Sequence, residues 1–531
     1  MIKIDNSKLY ITKQEIKKLI LVLMLINLPF LAVTYQNVWY SDDFQLIHAF
    51  TFKQELSNSL VSSLNDLFEV RSDGHLIPVH YLFNWFAGIV GSYKVWHIIV
   101  ILMHMGAATM VYLFTKIWTS SKNVSLISAI LYSLNYSFNI KILTWNIWHS
   151  FSFNVITGLA LMIAVIMTLR GEIRGKVIIF AMGILTVFNM ETGFTFIVLS
   201  VILVIHESLK KPSVFNKNKI LLIILILSPI ALYGSIAKYQ TGSMFPLLEQ
   251  RTAAQSIRSN EDAEKYSYQK LMDARSRKAP RTIESYIIRT GDLLLASLNM
   301  SSLEYVIKYY LKDGLQYSLD EKNRSAAIFS EKNLPFFIYT MIFGGFIIAL
   351  SLYLYRKELN SFFSIKTIQS SLVLYLVVIL IFILIFHRKD IAQPVAVFSS
   401  ILLGATLEIV RSTKKQIYFY MLLSVIIIPS ILYLITEYEY SYEMLSRSER
   451  EKVYIEFNNN LRNYSFNDGC LVAKLNDDPK YIENYSNDFY WFYIFEHRHE
   501  LINDQYFKQF KNTTYDSMMD VVSDSQYICN N

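Results

Sequence analysis

Apolar runs that approach or reach the thickness of a membrane recur along this chain, and they constrain its fold more than any other feature. The first run, residues 18–34, is followed by no small-residue cleavage site, so it predicts an uncleaved transmembrane helix and not a signal peptide. Further runs lie at 95–115, 123–138, 151–169, 177–189, 193–208, 219–236, 335–355, 369–386, 391–410 and 416–436. The sequence therefore predicts an all-α polytopic membrane protein with about eleven transmembrane helices.

Charges between the runs predict the orientation of the chain. If the N-terminus is cytoplasmic, every predicted inward turn is basic, and an excess of Lys and Arg in short loops is typical of the cytoplasmic side. These basic residues are Lys116 and Lys122; Arg170, Arg174 and Lys176; Lys210, Lys211, Lys217 and Lys219; Arg356, Lys357 and Lys366; and Arg411, Lys414 and Lys415. The C-terminus then lies outside, and topology explains the formal charge of +7 without a nucleic-acid partner.

Two domains are predicted. Residues 1–436 form the transmembrane domain, with a first outer loop at 36–94 that contains interfacial helices, one of them after Pro78, and a large outer loop at 237–334. Residues 437–531 mix short aromatic runs with Asn/Asp turns and predict a small extracytoplasmic α+β domain. The cysteines, Cys470 and Cys529, both lie in this domain, where an oxidising exterior would permit a disulfide.

Polar residues collect on the predicted outer face. The stretch "WYSDDFQLIHAF" (39–50) sets two adjacent carboxylates directly after the first span. The full set is Asp42, Asp43, Arg71, His75, His80, Trp145, Trp148, His149, Glu191 and Arg388. A carboxylate can remove a proton from an attacking hydroxyl, and cations can bind a leaving phosphate whose charge grows in the transition state. The pattern is typical of group transfer from a lipid-phosphate donor.

Each of these residues also has a structural interpretation. The alternatives are a solvated loop start for Asp42 and Asp43, a plain hairpin turn for Glu191, headgroup anchoring for Arg388, and an interfacial aromatic belt for Trp145 and Trp148. His97 and His104 lie seven residues apart on one predicted helix face. For these two we expect interhelical hydrogen bonds.

Several stretches together resemble one family. They are the acidic pair after the first span, "HLIPVHYLFNW", "GSYKVWHIIVILMHMGAATMVYLF", "NMETGFT" and "HRKDIAQPVAVF". In this combination the chain resembles integral-membrane glycosyltransferases of the GT-C superfamily, in particular the protein O-mannosyltransferase-like and lipid A aminoarabinose-transferase-like branches. The resemblance covers residues 18–210 and 370–410. Its multispan design with an outer C-terminal domain is also similar to that of bacterial serotype-converting O-antigen glucosyltransferases.

The resemblance implies roles for the outer residues. Asp42 or Asp43 would be the catalytic base of an inverting transfer. Donor-phosphate binding would fall to Arg71, His75 and Arg388. Active-site support would come from Glu191, His149 and His80, and sugar stacking from Trp145 and Trp148. No metal ligands are assigned, and dependence on a divalent metal stays open.

The sequence thus predicts an enzyme that moves a sugar from a polyprenyl phosphate, in bacteria undecaprenyl phosphate, to a surface polysaccharide, O-antigen or lipid-linked glycan. Its expected location is the bacterial cytoplasmic (inner) membrane, with the active site facing the periplasm or exterior. Two alternatives stay open. An O-antigen polymerase would use arginines of the large outer loop, which contains Arg251, Arg258, Arg275, Arg277, Arg281 and Arg289. A lipid-glycan flippase or exporter would need polar groups at mid-membrane depth.

Overall fold

A computed structural model describes a large part of the transmembrane domain. The described residues are 12–33, 67–68, 70, 75–90, 93–136, 138–139, 149–171, 175–209, 217–246, 290–291, 293–294, 296–297, 366–386, 392–412, 416, 419–424 and 427–428. They are mostly helical, and none of them belongs to a β-strand. The predicted α+β domain at 437–531 lies outside the described residues.

The helices follow the apolar runs closely. In chain order they are α1 (Lys13–Val33), α2 (Pro78–Val90), α3 (Tyr93–Thr119), α4 (Lys122–Leu134), α5 (His149–Leu169), α6 (Lys176–Val187), α7 (Phe194–Leu209), α8 (Lys217–Thr241), α9 (Lys366–Ile381) and α10 (Gln393–Ser412). A 3₁₀ turn at Glu191–Gly193 precedes α7, and a π-helical turn at Phe382–Phe386 ends α9. The short helix predicted after Pro78 is present as α2.

Five of the described helices are long and apolar enough to cross a membrane: α3, α5, α8, α9 and α10. The shorter apolar segments include α6 and the stretch from the 3₁₀ turn through α7. The prediction of an all-α membrane protein is confirmed in this coarser form. The predicted span at 335–355 lies outside the described residues.

Helix α3 occupies the middle of the bundle. It packs against α1, α4 and α5, while α10 packs on α4 and α9, and the pairs α5–α6, α5–α7 and α6–α8 complete the arrangement. At the α4–α10 contact Gly404 lies directly against Ser128, where any larger side chain would collide. Small residues at such crossings let helix backbones approach closely, which is how helices associate where lipid competes for apolar contacts.

Large apolar side chains also cover the outside of the bundle. Leu21, Leu25 and Leu28 of α1 are all more than half exposed, as are Val177 and Ile224 on other helices. A surface of this kind is unfavourable in water but matches the hydrocarbon of a bilayer. The exterior therefore agrees with the helix lengths in indicating a membrane protein.

Residues at or beside three of the predicted inward turns meet at one end of the bundle, here called the basic end. The Glu15 carboxylate near the start of α1 binds Lys116 Nζ at 2.9 Å and Lys122 Nζ at 2.8 Å. Arg170, after α5, donates to the carbonyl of Ile117 at 3.1 Å. Asn123 donates to Glu408 Oε1 (3.0 Å), which brings the end of α10 to the same place.

The opposite end, called the site end, also includes part of the predicted large outer loop. Leu293 and Ala296 are buried in the main core. The Asn135 amide donates to the Ala296 carbonyl at 3.2 Å, and the Tyr375 hydroxyl donates to Ser297 Oγ at 2.8 Å. Leu293, Ala296 and Ser297 therefore contribute to the packing of the bundle.

Candidate functional site

The site is built around a buried carboxylate on the turn between α6 and α7. Glu191 is the first residue of the 3₁₀ turn, and its side chain is 6% exposed. It lies at the site end because α6 ends at Val187, and Met190 is extended (φ −156°, ψ 143°) before the turn begins. A buried carboxylate is costly unless it is paired and hydrogen-bonded, so its surroundings decide whether it can be charged.

Two side chains bind the same oxygen of this carboxylate. His75 Nδ1 lies 2.9 Å from Glu191 Oε1, and the Tyr233 hydroxyl donates to that oxygen at 3.3 Å. An ionised carboxylate only accepts, so the proton of the His75 contact belongs to Nδ1. A hydrogen bond to an ionised partner is roughly twice as strong as a neutral one. The arrangement therefore stabilises a charged Glu191 beside a ring whose Nε2 faces away from it.

Aromatic rings surround Tyr233 and keep this cluster in an apolar setting. Its ring centroid lies 5.9 Å from that of Phe188, 5.2 Å from that of Phe194 and 6.4 Å from that of Phe245. Electrostatic interactions are stronger where water is excluded. The hydrogen bonds to Glu191 therefore hold it in place more firmly than they would at a wet surface.

The turn itself is fixed by Asn154 of α5. With its carboxamide oxygen toward the turn, Asn154 accepts from the Thr192 hydroxyl (2.9 Å) and the Gly193 amide (3.0 Å). Its nitrogen then donates to the Thr186 carbonyl at 3.0 Å, so every polar atom of the amide is satisfied. A Cβ at position 193 would collide with the Thr186 carbonyl, so the close approach of the turn to α6 requires glycine there. Residues 186, 154 and 193 thus set the position of Glu191.

The first outer loop is tied down beside this turn. The Val79 amide donates to the Phe188 carbonyl at 3.0 Å, which joins α2 to the end of α6. The Gln240 carboxamide of α8 accepts from the Val70 amide and donates to the Phe68 carbonyl, each at 2.7 Å. These bonds hold the backbone on both sides of the segment that leads into His75.

A second group of predicted residues forms its own cluster. The rings of His80 and His149 stack with centroids 5.6 Å apart, and both residues are buried. The Asn84 amide nitrogen is 3.1 Å from His80 Nε2, and Trp96 meets His149 edge to face at 5.3 Å. Their burial among aromatic rings gives them a role in shaping the site end.

The structure therefore brings together some of the predicted site residues. His75 pairs with Glu191, and His80 with His149. The other predicted residues lie outside the described part of the chain: Asp42, Asp43, Arg71, Trp145, Trp148 and Arg388. No group of three or more His, Cys, Asp or Glu side chains that could hold a metal ion occurs among the described residues.

Sequence reasoning did not single out Tyr233, Asn154 or Gln240. Asn154 had a detectable signal, because a carboxamide inside an apolar run must find buried partners. Tyr233 and Gln240 had none, since aromatic and polar residues near the end of a span usually belong to the interface.

Comparison with known proteins gives no match: no protein-family model matches the chain, and no curated protein and no solved structure is significantly similar to it.

Proposed function

We propose that this protein is an inverting glycosyltransferase of the bacterial cytoplasmic membrane. It moves a sugar from a polyprenyl phosphate, in bacteria undecaprenyl phosphate, to a surface polysaccharide, O-antigen or lipid-linked glycan. The reaction takes place on the extracytoplasmic face. The observation that carries the proposal is the part-buried His75–Glu191 pair at the end of the bundle opposite the basic turns.

The reaction needs a base, and the proposal gives that role to Asp42 or Asp43. The acceptor hydroxyl oxygen attacks the anomeric carbon and forms the new glycosidic bond. The bond from that carbon to the phosphate oxygen breaks, and its electron pair leaves with the phosphate. The hydroxyl proton passes to the aspartate, so charge and atoms balance.

His75 binds the donor phosphate in this proposal. Glu191 holds the ring through Nδ1, and the opposite side of the ring, with Nε2, is directed toward a phosphate oxygen. Arg71 and Arg388 add charge at the same leaving group. A positively charged group that is already in place gains in strength as negative charge grows on the phosphate.

The proposed topology rests on the distribution of basic residues between the two ends of the bundle. The basic end faces the cytoplasm, the chain crosses about eleven times, and residues 437–531 form an outer α+β domain. Cysteine-accessibility scanning tests this orientation. A membrane-impermeant reagent should label Ser243→Cys from outside and Lys122→Cys only after the membrane is opened. The reverse pattern would overturn the orientation.

The activity is tested by mass analysis of surface glycan. Cells expressing wild type should add a sugar that Asp42→Asn/Asp43→Asn and Glu191→Gln cells do not add. Glu408→Gln, at the basic end, is the matched control and should add the sugar as wild type does. An unchanged product in the double aspartate variant would remove the proposed base. A change in chain length with no change in substituent mass would indicate a polymerase.

One observation favours the flippase or exporter alternative. Asn27 and His104 are almost completely or completely buried, and each lies about 18 Å along its helix from a basic-end residue, Glu15 or Lys116. Polar groups at this depth are typical of a transport path. A loss of export of the whole glycan in the deletion strain, with its composition intact, would establish this alternative over glycosyl transfer.

A further inference from the structure

A group of buried polar side chains surrounds the place where α4 stops being helical. The helix ends at Leu134, and Asn135 leaves the helical conformation with φ −78° and ψ 74°. Residues 136 and 138–139 are helical again. The chain is therefore a broken helix at this point.

The break lies inside the depth of the membrane. Helix α4 begins at the basic end, where Lys122 binds Glu15, and it has 13 residues. At about 1.5 Å per residue it is about 20 Å long, which is shorter than the roughly 30 Å of hydrocarbon. Non-helical backbone at such a depth is stable only where protein or enclosed water satisfies its polar groups.

Two asparagines donate hydrogen bonds from their amide nitrogens to residues beside this break. Asn139 Nδ2 donates to the Tyr132 carbonyl at 2.7 Å, and Asn27 Nδ2 of α1 donates to Ser133 Oγ at 3.0 Å. Asn135 Nδ2 reaches the Ala296 carbonyl. The nitrogens of all three carboxamides are thus used, and each bond fixes its carboxamide at the end of α4.

The oxygens of the same three carboxamides are not used. Asn27 Oδ1, Asn135 Oδ1 and Asn139 Oδ1 are buried and have no hydrogen-bond partner within the described part of the chain. These residues are 1%, 4% and 0% exposed. A buried amide oxygen without a hydrogen-bond partner costs about 1–3 kcal/mol of folding free energy. Three such oxygens beside one break in a helix therefore indicate a ligand that donates hydrogen bonds.

Two further groups extend the set toward the middle of the membrane. The His104 ring of α3 stacks on Tyr132, with centroids 5.4 Å apart, and it lies beside the backbone of Ser133. Among the described residues, the Tyr132 hydroxyl and at least one ring nitrogen of His104 have no hydrogen-bond partner. The expected interhelical hydrogen bond of His104 stays a prediction. Tyr132 lies about 15 Å along α4 from its start, which is mid-depth.

We propose that these residues form a hydrated seam: Asn27, His104, Tyr132, Asn135 and Asn139 bind a small group of water molecules that extends from the site end to mid-depth. Water is the ligand that the chemistry favours, because the seam offers neutral acceptors and donors with no carboxylate to hold a metal cation. Buried waters typically make two to four hydrogen bonds to such groups. The seam does not depend on the proposed glycosyl transfer.

Radiolytic labelling of the purified full-length protein tests the seam. Millisecond X-ray pulses generate hydroxyl radicals from water where it lies, and mass spectrometry measures the oxidation of each tyrosine. Tyr233 is the matched control, since it is 1% exposed and its hydroxyl is bonded to Glu191. We expect Tyr132 to be oxidised at least about fivefold faster than Tyr233, because bound water lies beside it.

A variant tests the assignment of the waters to this seam. Asn139→Leu removes one acceptor and fills its place with an apolar side chain, so the Tyr132 rate should fall severalfold while the Tyr233 rate is unchanged. Equal rates for Tyr132 and Tyr233 in wild type would overturn the hydrated seam. An unchanged Tyr132 rate in Asn139→Leu would overturn the role of Asn139 in it.

Discussion

His75 Nδ1 and Glu191 Oε1 lie 2.9 Å apart although 116 residues separate them in the chain. The contact joins the first outer loop to the turn between α6 and α7, and Tyr233 from α8 binds the same oxygen. Three distant segments therefore converge on one buried carboxylate.

Glu191→Gln should remove the charge of this cluster while keeping its shape. We expect activity in isolated membranes to fall at least about 100-fold, because the carboxylate no longer holds the His75 ring in place for the donor phosphate. The thermal unfolding midpoint should fall only slightly, since the amide can still accept from Tyr233. His75→Gln keeps a hydrogen-bond donor but has no titratable ring, and it should lose activity to the same extent as Glu191→Gln. Full activity in both variants would leave the pair with a structural role only.

Gly193→Ala should destabilise the turn. A Cβ at this position meets the Thr186 carbonyl, which belongs to the backbone and cannot move aside cheaply. We expect a loss of about 1–3 kcal/mol in the free energy of unfolding, as for other overpacked sites. Gly106→Ala is the control, because its Cβ would lie 3.2 Å from the flexible Ile156 Cδ1. Equal stability of the two variants would contradict the steric argument.

Asn154→Leu should move Glu191 without touching it. The leucine is similar in size but leaves the Thr192 hydroxyl and the Thr186 carbonyl without their partner, while the Gly193 amide keeps its bond to the Met190 carbonyl at 2.9 Å. Each buried group left unpaired costs about 1–3 kcal/mol, and thermal unfolding measures the sum. We expect activity to fall more than it does in Gly106→Ala at a temperature where both variants are folded. Unchanged activity there would show that the turn keeps its position without Asn154.

Stability should depend on pH through Glu15 at the basic end. Hydrogen bonds from Lys122 and then Lys116 lower the pKa of the Glu15 carboxyl from 4.5 to about 2. Because the folded-state pKa is the lower one, this stabilisation is complete above pH 4.5 and is lost as the pH falls toward 2.

Thermal unfolding of wild type and Glu15→Gln in detergent checks this dependence. The difference between their midpoints should be largest near neutral pH and should shrink between pH 4.5 and pH 2, because protonated Glu15 no longer attracts the two lysines. A difference that stays constant over this range would exclude the ion pairs as its source.

Gln240→Leu should release the first outer loop from α8. The variant loses both the bond from the Val70 amide and the bond to the Phe68 carbonyl. We expect faster cleavage by an added protease between residues 60 and 75, measured on intact proteoliposomes, because the backbone there has lost two anchors. Gln240→Glu keeps the acceptor for Val70 and should give an intermediate rate. Equal rates in all three proteins would contradict the anchoring.

Much of this could be predicted from the sequence because its signals are local. Apolar runs such as 151–169 and 219–236 need only their own composition to indicate a buried or lipid-facing helix, and α5 and α8 cover them. Basic residues at Lys116 and Arg170 likewise indicated that their turns share one end of the bundle. The same local signals predict that His75, His80, His149 and Glu191 lie at the opposite end.

The pairings among these residues were decided only by the tertiary structure. Which face of a helix meets a neighbour depends on its rotation and on close approaches such as that of Gly404 to Ser128, and neither follows from hydropathy. The same holds for Tyr233, which reaches Glu191 only because α8 packs beside α6. The sequence determined which helices exist and which ends are polar; packing decided that Glu191 binds His75 and Tyr233, because side-chain contacts between spans depend on how whole helices fit together.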